Sequence, residues 1–230
     1  MPHLNKILDF NLIGYTPDIP IAAQQQISGH IILDKDDWNL SFCKYFKDSF
    51  KSKTSRNQNR KCMYCRTTIN VDGSGNAIEH ITPRKLKPHW MFVIKNIAVA
   101  CDNCNSSKKD TNVLRLPATN YGNQSDHFPN SSVEHLIYNP HFDKWSDHFD
   151  IEDEYFLKAK PNTKGPFTYK VCNMQRYHII IDYLDELKIR QPFSFRILNK
   201  RIRREKDPRK IEALKKALEY IEDLMNQNDN

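Results

Sequence analysis

The N-terminal part of the chain carries one clear helical pattern of apolar residues. Residues 1–33 show few periodic apolar positions and contain Pro17 and Pro20, so we expect an extended arm there. After the acidic segment 34–37, large apolar residues recur every three or four positions from Trp38 to Phe50. Such spacing aligns side chains on one helix face, and acidic residues are favourable at a helix start. The pattern predicts a core-facing helix.

Two short apolar runs in the middle of the chain are typical of strands. The run 77–81 follows a turn signal at 72–75 and ends just before Pro83. A second run covers 96–100, and we expect a helix to begin near Asn105 or Ser106. The middle of the chain is therefore predicted to be two strands followed by a helix.

The second half of the chain is predicted to be irregular at first and helical later. Residues 112–150 are rich in Asn, Asp, Ser, Pro and aromatic residues, which indicates long connections packed onto the middle of the chain. Residues 151–171 are expected to form a hairpin around Lys164-Gly165. Beyond that hairpin, four apolar residues share one helical face, namely Tyr177, Ile181, Leu184 and Leu187.

A last helix is predicted over about 208–227. Its apolar residues alternate at spacings of three and four, at Ile211, Leu214, Leu218, Ile221 and Met225. This seam covers fewer than three heptads, which is short for a coiled coil. Packing of the helix against its own chain is favoured, and contact with a second chain stays open.

Composition indicates a folded protein with a basic surface. The chain has 230 residues, is 39% hydrophobic and carries a formal net charge of +7, which argues against general disorder and suits a polyanionic partner. No run of 18 apolar residues occurs, and the start MPHLNK lacks an apolar signal-peptide core. We therefore expect no membrane contact and a cytoplasmic location. We divide the chain into an N-terminal arm and helix at 1–55, a metal module at 56–115 and a loop-rich, then helical region at 116–230.

Two cysteine pairs predict a structural zinc site. Cys62 and Cys65, and then Cys101 and Cys104, are each separated by two residues. Four thiolates suit a closed tetrahedral Zn²⁺ site without an open position for catalysis. The other two cysteines, Cys43 and Cys172, are expected to be buried thiols. A disulfide framework is the disfavoured alternative.

Glu79 and His80 lie between the cysteine pairs and offer hydrolytic chemistry. His80, at a strand end, can act as a general base that deprotonates water. The Glu79 carboxylate and the Asn105 amide oxygen are hard ligands that suit Mg²⁺ or Mn²⁺. A general base supplies about 10²–10⁴-fold acceleration, well below the total for phosphodiester hydrolysis, so a cation is needed as well.

These residues together resemble the HNH endonucleases, which have a ββα-metal fold. The matching segments are Cys62-x2-Cys65, Glu79-His80-Ile-Thr-Pro83-Arg84 and Asn96-Ile-Ala-Val-Ala-Cys101-x2-Cys104-Asn105-x2-Lys108. The resemblance implies an α+β fold in which this zinc-stabilised module is embedded in a mostly helical chain.

The resemblance also implies a role for each matching residue. His80 would be the general base, and Asn96 would brace the loop that orients it. Glu79 and Asn105 would hold the catalytic cation, and Lys108 would lie near the scissile phosphate. The chain departs from the family in two places, because the family's last histidine is Asn105 here and the acid before the base is more commonly Asp.

A fainter resemblance covers later parts of the chain. The motifs are Tyr138-Asn-Pro-His141-Phe-Asp143-Lys-Trp145-Ser-Asp147-His148, Lys164-Gly165 and Asn173-Met-Gln-Arg176-Tyr177. They are similar to the small HNH partner of Septu-type and retron-associated anti-phage systems. This resemblance implies a complex in which an ABC-type ATPase controls cleavage.

Several polar clusters have two interpretations from sequence alone. Arg84 and Lys85, beside the candidate base, are predicted to contact nucleic acid. The basic residues of 51–66 are either a solvated linker or a phosphate-contacting flank, and those of 196–204 are either a DNA contact or an ordinary surface. The polar residues of 141–148 could bind a second metal, although a packed loop is favoured.

The favoured function is a metal-dependent endonuclease, most consistent with double-stranded DNA as substrate. RNA remains open as a target. The alternative from another class is a non-catalytic zinc module that binds nucleic acid or a protein. A module that only binds has no chemical need for Glu79-His80, Asn96 and Asn105 at these intervals.

Overall fold

A computed structural model of the protein describes residues 10–70, 75–153, 155–186 and 191–228. The turn predicted at 72–75 lies outside the described residues except for Gly75, and so does Leu187. The helices are α1 (Ile21–Ser28), α2 (Cys43–Asn57), α3 (Asp102–Lys108), α4 (Gly165–Val171), α5 (Tyr177–Glu186), α6 (Gln191–Ile202) and α7 (Pro208–Asn228). The strands are β1 (Asn76–His80), β2 (Ile97–Cys101), β3 (Phe149–Glu152) and β4 (Phe156–Ala159). None of the described helices combines the length and apolar character that a membrane span requires.

The middle of the chain forms a ββα unit. Strands β1 and β2 pair in antiparallel fashion, with His80 opposite Ile97 and Asn76 opposite Cys101. Helix α3 begins at the residue after β2, so the strand leads directly into the helix and the second cysteine pair spans their junction. The predicted α+β class is confirmed.

The N-terminal region differs from the predicted arm and helix. Helix α1 lies within the segment predicted to be extended, because Pro20 sets the backbone before a run of good helix formers and Ala23 is fully buried. The acidic segment does start a helix, but this helix is a short 3₁₀ turn at Lys35–Asn39 rather than the predicted long helix. Asp34 and Asp37 cap its start reciprocally. Leu40 has an extended backbone, which separates that turn from α2.

The predicted hairpin exists, but its turn lies elsewhere. Strands β3 and β4 pair in antiparallel fashion, and Asp153, with a φ of 54°, lies in the connection between them. Gly165 instead begins α4. A side chain there would come within 2.1 Å of the carbonyl oxygen of His148, so this glycine serves a close backbone approach rather than a hairpin turn.

One hydrophobic core connects the ββα unit with the C-terminal helices. Leu214, Ala217 and Ile221 of α7 are buried in the same cluster as the four paired cysteines and the segment 98–100 of β2. The last helix therefore packs against its own chain, as favoured from the sequence. A second cluster joins α1, α2 and the 3₁₀ turn around Trp38, Phe46 and Phe50.

The basic stretch 51–66 is not a solvated linker. Helix α2 continues through it to Asn57, and Lys61 is buried. Arg66 is fully buried, and its guanidinium donates to the carbonyls of Met63 and Phe10, each at 2.7 Å. Arg66 therefore serves the core and cannot contact phosphate.

Candidate active site and metal centre

The four paired cysteines converge on one buried point. Their sulfur atoms all lie within 4.8 Å of one another, and those of Cys65 and Cys101 are 3.8 Å apart. A regular tetrahedron with Zn–S bonds of about 2.3 Å has S–S edges of about 3.8 Å. Hydrogen bonds from Cys104, Cys62 and Cys65 hold the pKa of the Cys101 thiol far below its usual range. The set fits a tetrahedral thiophilic ion.

Two C-terminal side chains support this cluster from outside. Arg176 donates to the Cys104 sulfur at 3.3 Å, and the Tyr183 hydroxyl of α5 donates to the carbonyl of Cys65 at 2.7 Å. Burial opposes the charge of Arg176, yet the nearby Cys104 and Cys65 sulfurs raise the pKa of its guanidinium above its usual range. A fixed cation here offsets the negative charge that four thiolates and Zn²⁺ would leave.

The imidazole of His80 is held in one orientation at the end of β1. Its Nε2 lies 3.1 Å from the carbonyl oxygen of Met91. Because a carbonyl can only accept, Nε2 carries the proton and Nδ1 keeps its lone pair. Burial and the charge of Arg84 hold the pKa of His80 well below its usual range. The ring is therefore a neutral base at neutral pH.

An N-terminal aromatic residue packs against this base. The Trp38 ring meets the His80 ring edge-on, with centroids 4.5 Å apart. The Arg84 guanidinium lies over the same indole and donates to the carbonyl of Lys35 at 2.6 Å. His80 is 6% exposed, and Trp38, from outside the ββα unit, covers one side of its ring.

Asn96, at the residue before β2, ties together the loop that follows His80. Its amide oxygen accepts from the backbone N–H of Thr82 at 2.7 Å. Its amide nitrogen donates to the carbonyls of Thr82 and Trp90, each at 3.1 Å. The side chain is fully buried. Asn96 thus links the segment after the base to the segment that contains the Met91 carbonyl.

Glu79 lies in a buried ion pair with Lys108. The Lys108 ammonium is 2.8 Å from Glu79 Oε1, with side-chain exposures of 1% and 3%. The Tyr64 hydroxyl donates to the same oxygen at 3.1 Å. Burial raises the pKa of Glu79, and the Lys108 charge opposes that rise. Lys108 would have to leave this pair to contact a phosphate.

The oxygen donors suit a hard cation chemically. Asn105 precedes Lys108 by three residues on α3, so the two side chains lie on neighbouring positions of one helix face, and Lys108 reaches β1 at Glu79. A carboxylate and an amide oxygen are ligands that Mg²⁺ and Mn²⁺ accept together with water. A cation at Glu79 would compete with the Lys108 ammonium for Oε1. Within the part of the chain that the structure describes, the paired cysteines are the one group of three or more His, Cys or acidic ligands close enough to share a metal.

The two predicted nucleic-acid contacts differ in environment. Arg84 is half-buried, and burial lowers the pKa of its guanidinium. Lys85 is exposed and pairs with Asp110 at 3.3 Å. Lys85 is therefore the more accessible of the two to a polyanion.

The polar residues of 141–148 form a packed loop. His141 Nε2 donates to the carbonyl of Ile97 at 2.9 Å. Asp143 accepts from the backbone of Asn139 at 2.9 Å and pairs with Lys164 at 2.7 Å. These contacts satisfy the polar groups without a metal, as the sequence favoured.

Two partners of the site, Trp38 and the Met91 carbonyl, have no signal in the sequence pattern, since Trp38 looks like an ordinary core residue. Arg176 belongs to a motif that the sequence analysis named, but nothing in that motif places it beside Cys104, 72 positions away. Met91 contributes only its backbone carbonyl to His80. Tyr64 lies between Cys62 and Cys65, and its position inside the metal motif could have suggested a role.

Comparisons with known proteins find similarity over the region that contains the site. Residues 62–111 match the family model of the HNH endonucleases. Over 155 residues the chain is 28% identical to the Septu protein PtuB of Bacillus mycoides (strain KBAB4), covering 61% of this chain. The chain spans about half the length of that relative (51%). No solved structure matches the chain significantly.

Proposed function

We propose, from the HNH endonuclease domain that residues 62–111 form, that the protein is a metal-dependent endonuclease hydrolysing phosphodiester bonds, with double-stranded DNA as its substrate. The observation that carries this proposal is the state of His80. Its Nε2 is fixed by the Met91 carbonyl, and its Nδ1 has no hydrogen-bond partner among the described residues. A buried neutral imidazole with one free lone pair is the form that a general base requires.

The residues of the module divide the chemistry between them. Nδ1 of His80 takes a proton from water as the water oxygen attacks phosphorus, and the P–O bond to the leaving oxygen breaks. Asn96 holds the loop that follows the base in a fixed position relative to His80. Glu79 and Asn105 would hold Mg²⁺ or Mn²⁺, which supplies charge stabilisation to the phosphate oxygens and the leaving oxygen. Lys108, once released from Glu79, offers a further cation to the scissile phosphate.

The cysteine cluster has a separate, structural role. Cys62, Cys65, Cys101 and Cys104 would bind Zn²⁺ with no position left for water. The ion would fix β2 and the start of α3, and through them the positions of Glu79 and Asn105. Arg84 and Lys85 would contact the substrate backbone beside the base.

Replacement of the base tests the proposal. We expect His80→Ala to lower plasmid cleavage in Mg²⁺ by about 10²-fold or more, because the proton acceptor is lost. Zinc content and thermal unfolding should remain close to wild type, which separates loss of chemistry from loss of fold. The exposed His178 gives a matched control, and His178→Ala should cleave normally. Wild-type cleavage by His80→Ala would remove His80 from the mechanism.

We further propose that the protein acts in the cytoplasm, in anti-phage defence, with an ABC-type ATPase partner. The similarity to a Septu protein and the motifs in 138–177 support this assignment. Cleavage by the protein alone would then be weak and would rise when the ATPase is added. Full activity of protein purified from its native cell without any ATPase would contradict this part of the proposal.

One observation favours a second candidate, a zinc module that binds without cleaving. The Glu79 carboxylate is already neutralised by Lys108, and both side chains are buried. In that case His80→Ala and wild type would bind DNA equally and neither would cleave it, even with the ATPase present.

A further inference from the structure

We propose that one exposed face of α6, consisting of Arg196, Lys200, Arg203 and Arg204, is a docking surface for the phosphate backbone of double-stranded DNA, apart from the nuclease centre. We call it the α6 cationic face. The proposal rests on nucleic acid being the substrate of the protein. Beyond the proposed function, it assigns a place outside the ββα unit where the protein holds the duplex.

The four cations lie on one side of the helix. At 3.6 residues per turn they fall within about 100° of arc, and the helical hydrogen bonding continues past Ile202 through Arg203 and Arg204. All four are exposed, whereas Ser194 and Leu198 on the opposite side are buried. The four cations therefore lie on the exposed side of this helix, together with the exposed ring of Phe193.

Their charge is not neutralised by the protein. Residues 191–204 contain no Asp or Glu, and no acid among the described residues pairs with any of the four. Arg201, the remaining cation of this stretch, provides the contrast. It points to the side of the hairpin and pairs with Glu152, Asp153 and Glu205. The fold thus pairs the inward arginine and leaves the outward cations free for a polyanion.

The spacing of the cations suits a nucleic-acid strand. From Arg196 to Arg204 the helix rises about 12 Å. A B-form strand advances about 3.4 Å per phosphate, so this face spans three to four phosphates. A row of flexible cations fits a repeating phosphate backbone, which carries little base sequence information.

The face is connected to the nuclease module through packed helices. Helix α6 packs on α7, and α7 packs on α5. Helix α5 in turn holds the first cysteine pair through the Tyr183 hydroxyl. A duplex bound on α6 would therefore be held in a fixed relation to the catalytic residues.

Salt-dependent binding tests the proposal. The triple variant Arg196→Gln, Lys200→Gln, Arg203→Gln is made in the His80→Ala background, and binding to a labelled 30-base-pair duplex is followed by fluorescence anisotropy in Mg²⁺ at several salt concentrations. Each lost phosphate contact lowers the slope of log K against log salt by about 0.9 for duplex DNA. We expect the slope to become shallower by about 2.7.

The control removes the same charge from elsewhere. Lys44, Lys158 and Lys216 are exposed and each pairs with an acid, at 3.2, 3.8 and 2.9 Å. The corresponding triple Gln variant should lower the slope by less than about 1.

Three outcomes would contradict the proposal. Equal effects of the two triple variants, or no effect of the first, would overturn the docking surface. Loss of binding to an ATPase partner, with the DNA slope unchanged, would also overturn it and assign the face to a protein. The experiment measures only DNA binding, in a background without the proposed catalytic base. Its result would therefore still decide the docking surface if the nuclease proposal failed.

Discussion

At the residue scale, the candidate site contains a buried ion pair between Glu79 and Lys108. Two charges at 2.8 Å, both almost fully buried, are costly to remove from water and depend on each other. The hydroxyl of Tyr64 adds one hydrogen bond to the carboxylate. Removal of the ammonium would therefore leave a carboxylate in the interior with a single donor.

We expect Lys108→Met to lower the free energy of unfolding by about 3–5 kcal/mol, since it strands a buried charge. Addition of Glu79→Gln should recover part of this loss, because the second change removes the stranded charge. Urea denaturation of the two single variants and the double variant measures the coupling.

The exposed pair of Lys85 and Asp110 is the matched comparison. At 3.3 Å and more than half exposed, it should contribute at most about 1 kcal/mol. If Lys108→Met cost no more than Lys85→Met, the buried pair would not be a stabilising element of the fold.

At the element scale, the metal centre joins elements that are far apart in sequence. The first cysteine pair lies before β1, the second lies at the junction of β2 and α3, and Arg176 reaches the cluster from the segment before α5. Structural zinc contributes about 10–16 kcal/mol of apparent stabilisation in small modules. The ββα unit and the C-terminal helices should therefore lose their packing together when zinc is lost.

Replacement of one ligand tests this dependence. We expect Cys104→Ser to lose stoichiometric zinc and to melt at a much lower temperature, because a tetrahedral site then lacks one thiolate. Cys43 is equally buried but lies outside the cluster, donating to the Asp37 carbonyl at 3.3 Å. Cys43→Ser can keep that bond and should retain zinc. A Cys104→Ser protein with full zinc content and an unchanged melting temperature would contradict a structural metal.

Sequence patterns predicted the two central strands well, but they placed the start of α3 three to four residues too late, because the helix begins directly after β2 at Asp102. Both strands of the ββα unit were placed within one residue, because cysteine pairs and turn residues delimit the apolar runs. Helix α1 was missed, since its single fully buried residue, Ala23, produces no periodicity. The hairpin turn was misplaced because a glycine such as Gly165 is common in turns. Here the glycine instead allows close packing against the His148 backbone.

The candidate site was predictable only as a set of residue types. The motif spacing proposed Glu79, His80 and Asn105 as site residues, but it could not show that Lys108 forms an ion pair with the carboxylate of Glu79. That pairing depends on how closely α3 approaches β1, which is a property of the packed structure. Contacts to backbone carbonyls, such as that of His80 with Met91, cannot be predicted from the pattern of side chains along the sequence.

At the scale of the whole molecule, buried histidines make stability depend on pH. Burial lowers the pKa of His135 and of His141 to about 4, whereas an unfolded histidine titrates near 6.5. Between these values the unfolded chain binds more protons than the folded one. Stability therefore falls as the pH drops from about 6.5 to about 4.

We expect each of these histidines to contribute up to about 3 kcal/mol of that loss. Asp143, whose pKa is about 2, keeps its stabilising charge throughout this window and does not add to the fall. Denaturation curves at pH 7 and pH 4.5 measure the difference. In His141→Gln, whose amide can donate to the Ile97 carbonyl instead, the dependence should be shallower. An unchanged dependence would show that His141 is not the group that titrates.

The contact between Trp38 and His80 bears on how this protein could be engineered. One side of the imidazole is covered by Trp38, which precedes Cys62, the first cysteine of the metal cluster, by more than twenty residues. A graft of the metal-binding segment alone into a foreign scaffold would transfer the thiolate chelate but leave the imidazole open to bulk water. Any minimal transplantable version must therefore carry its own N-terminal indole.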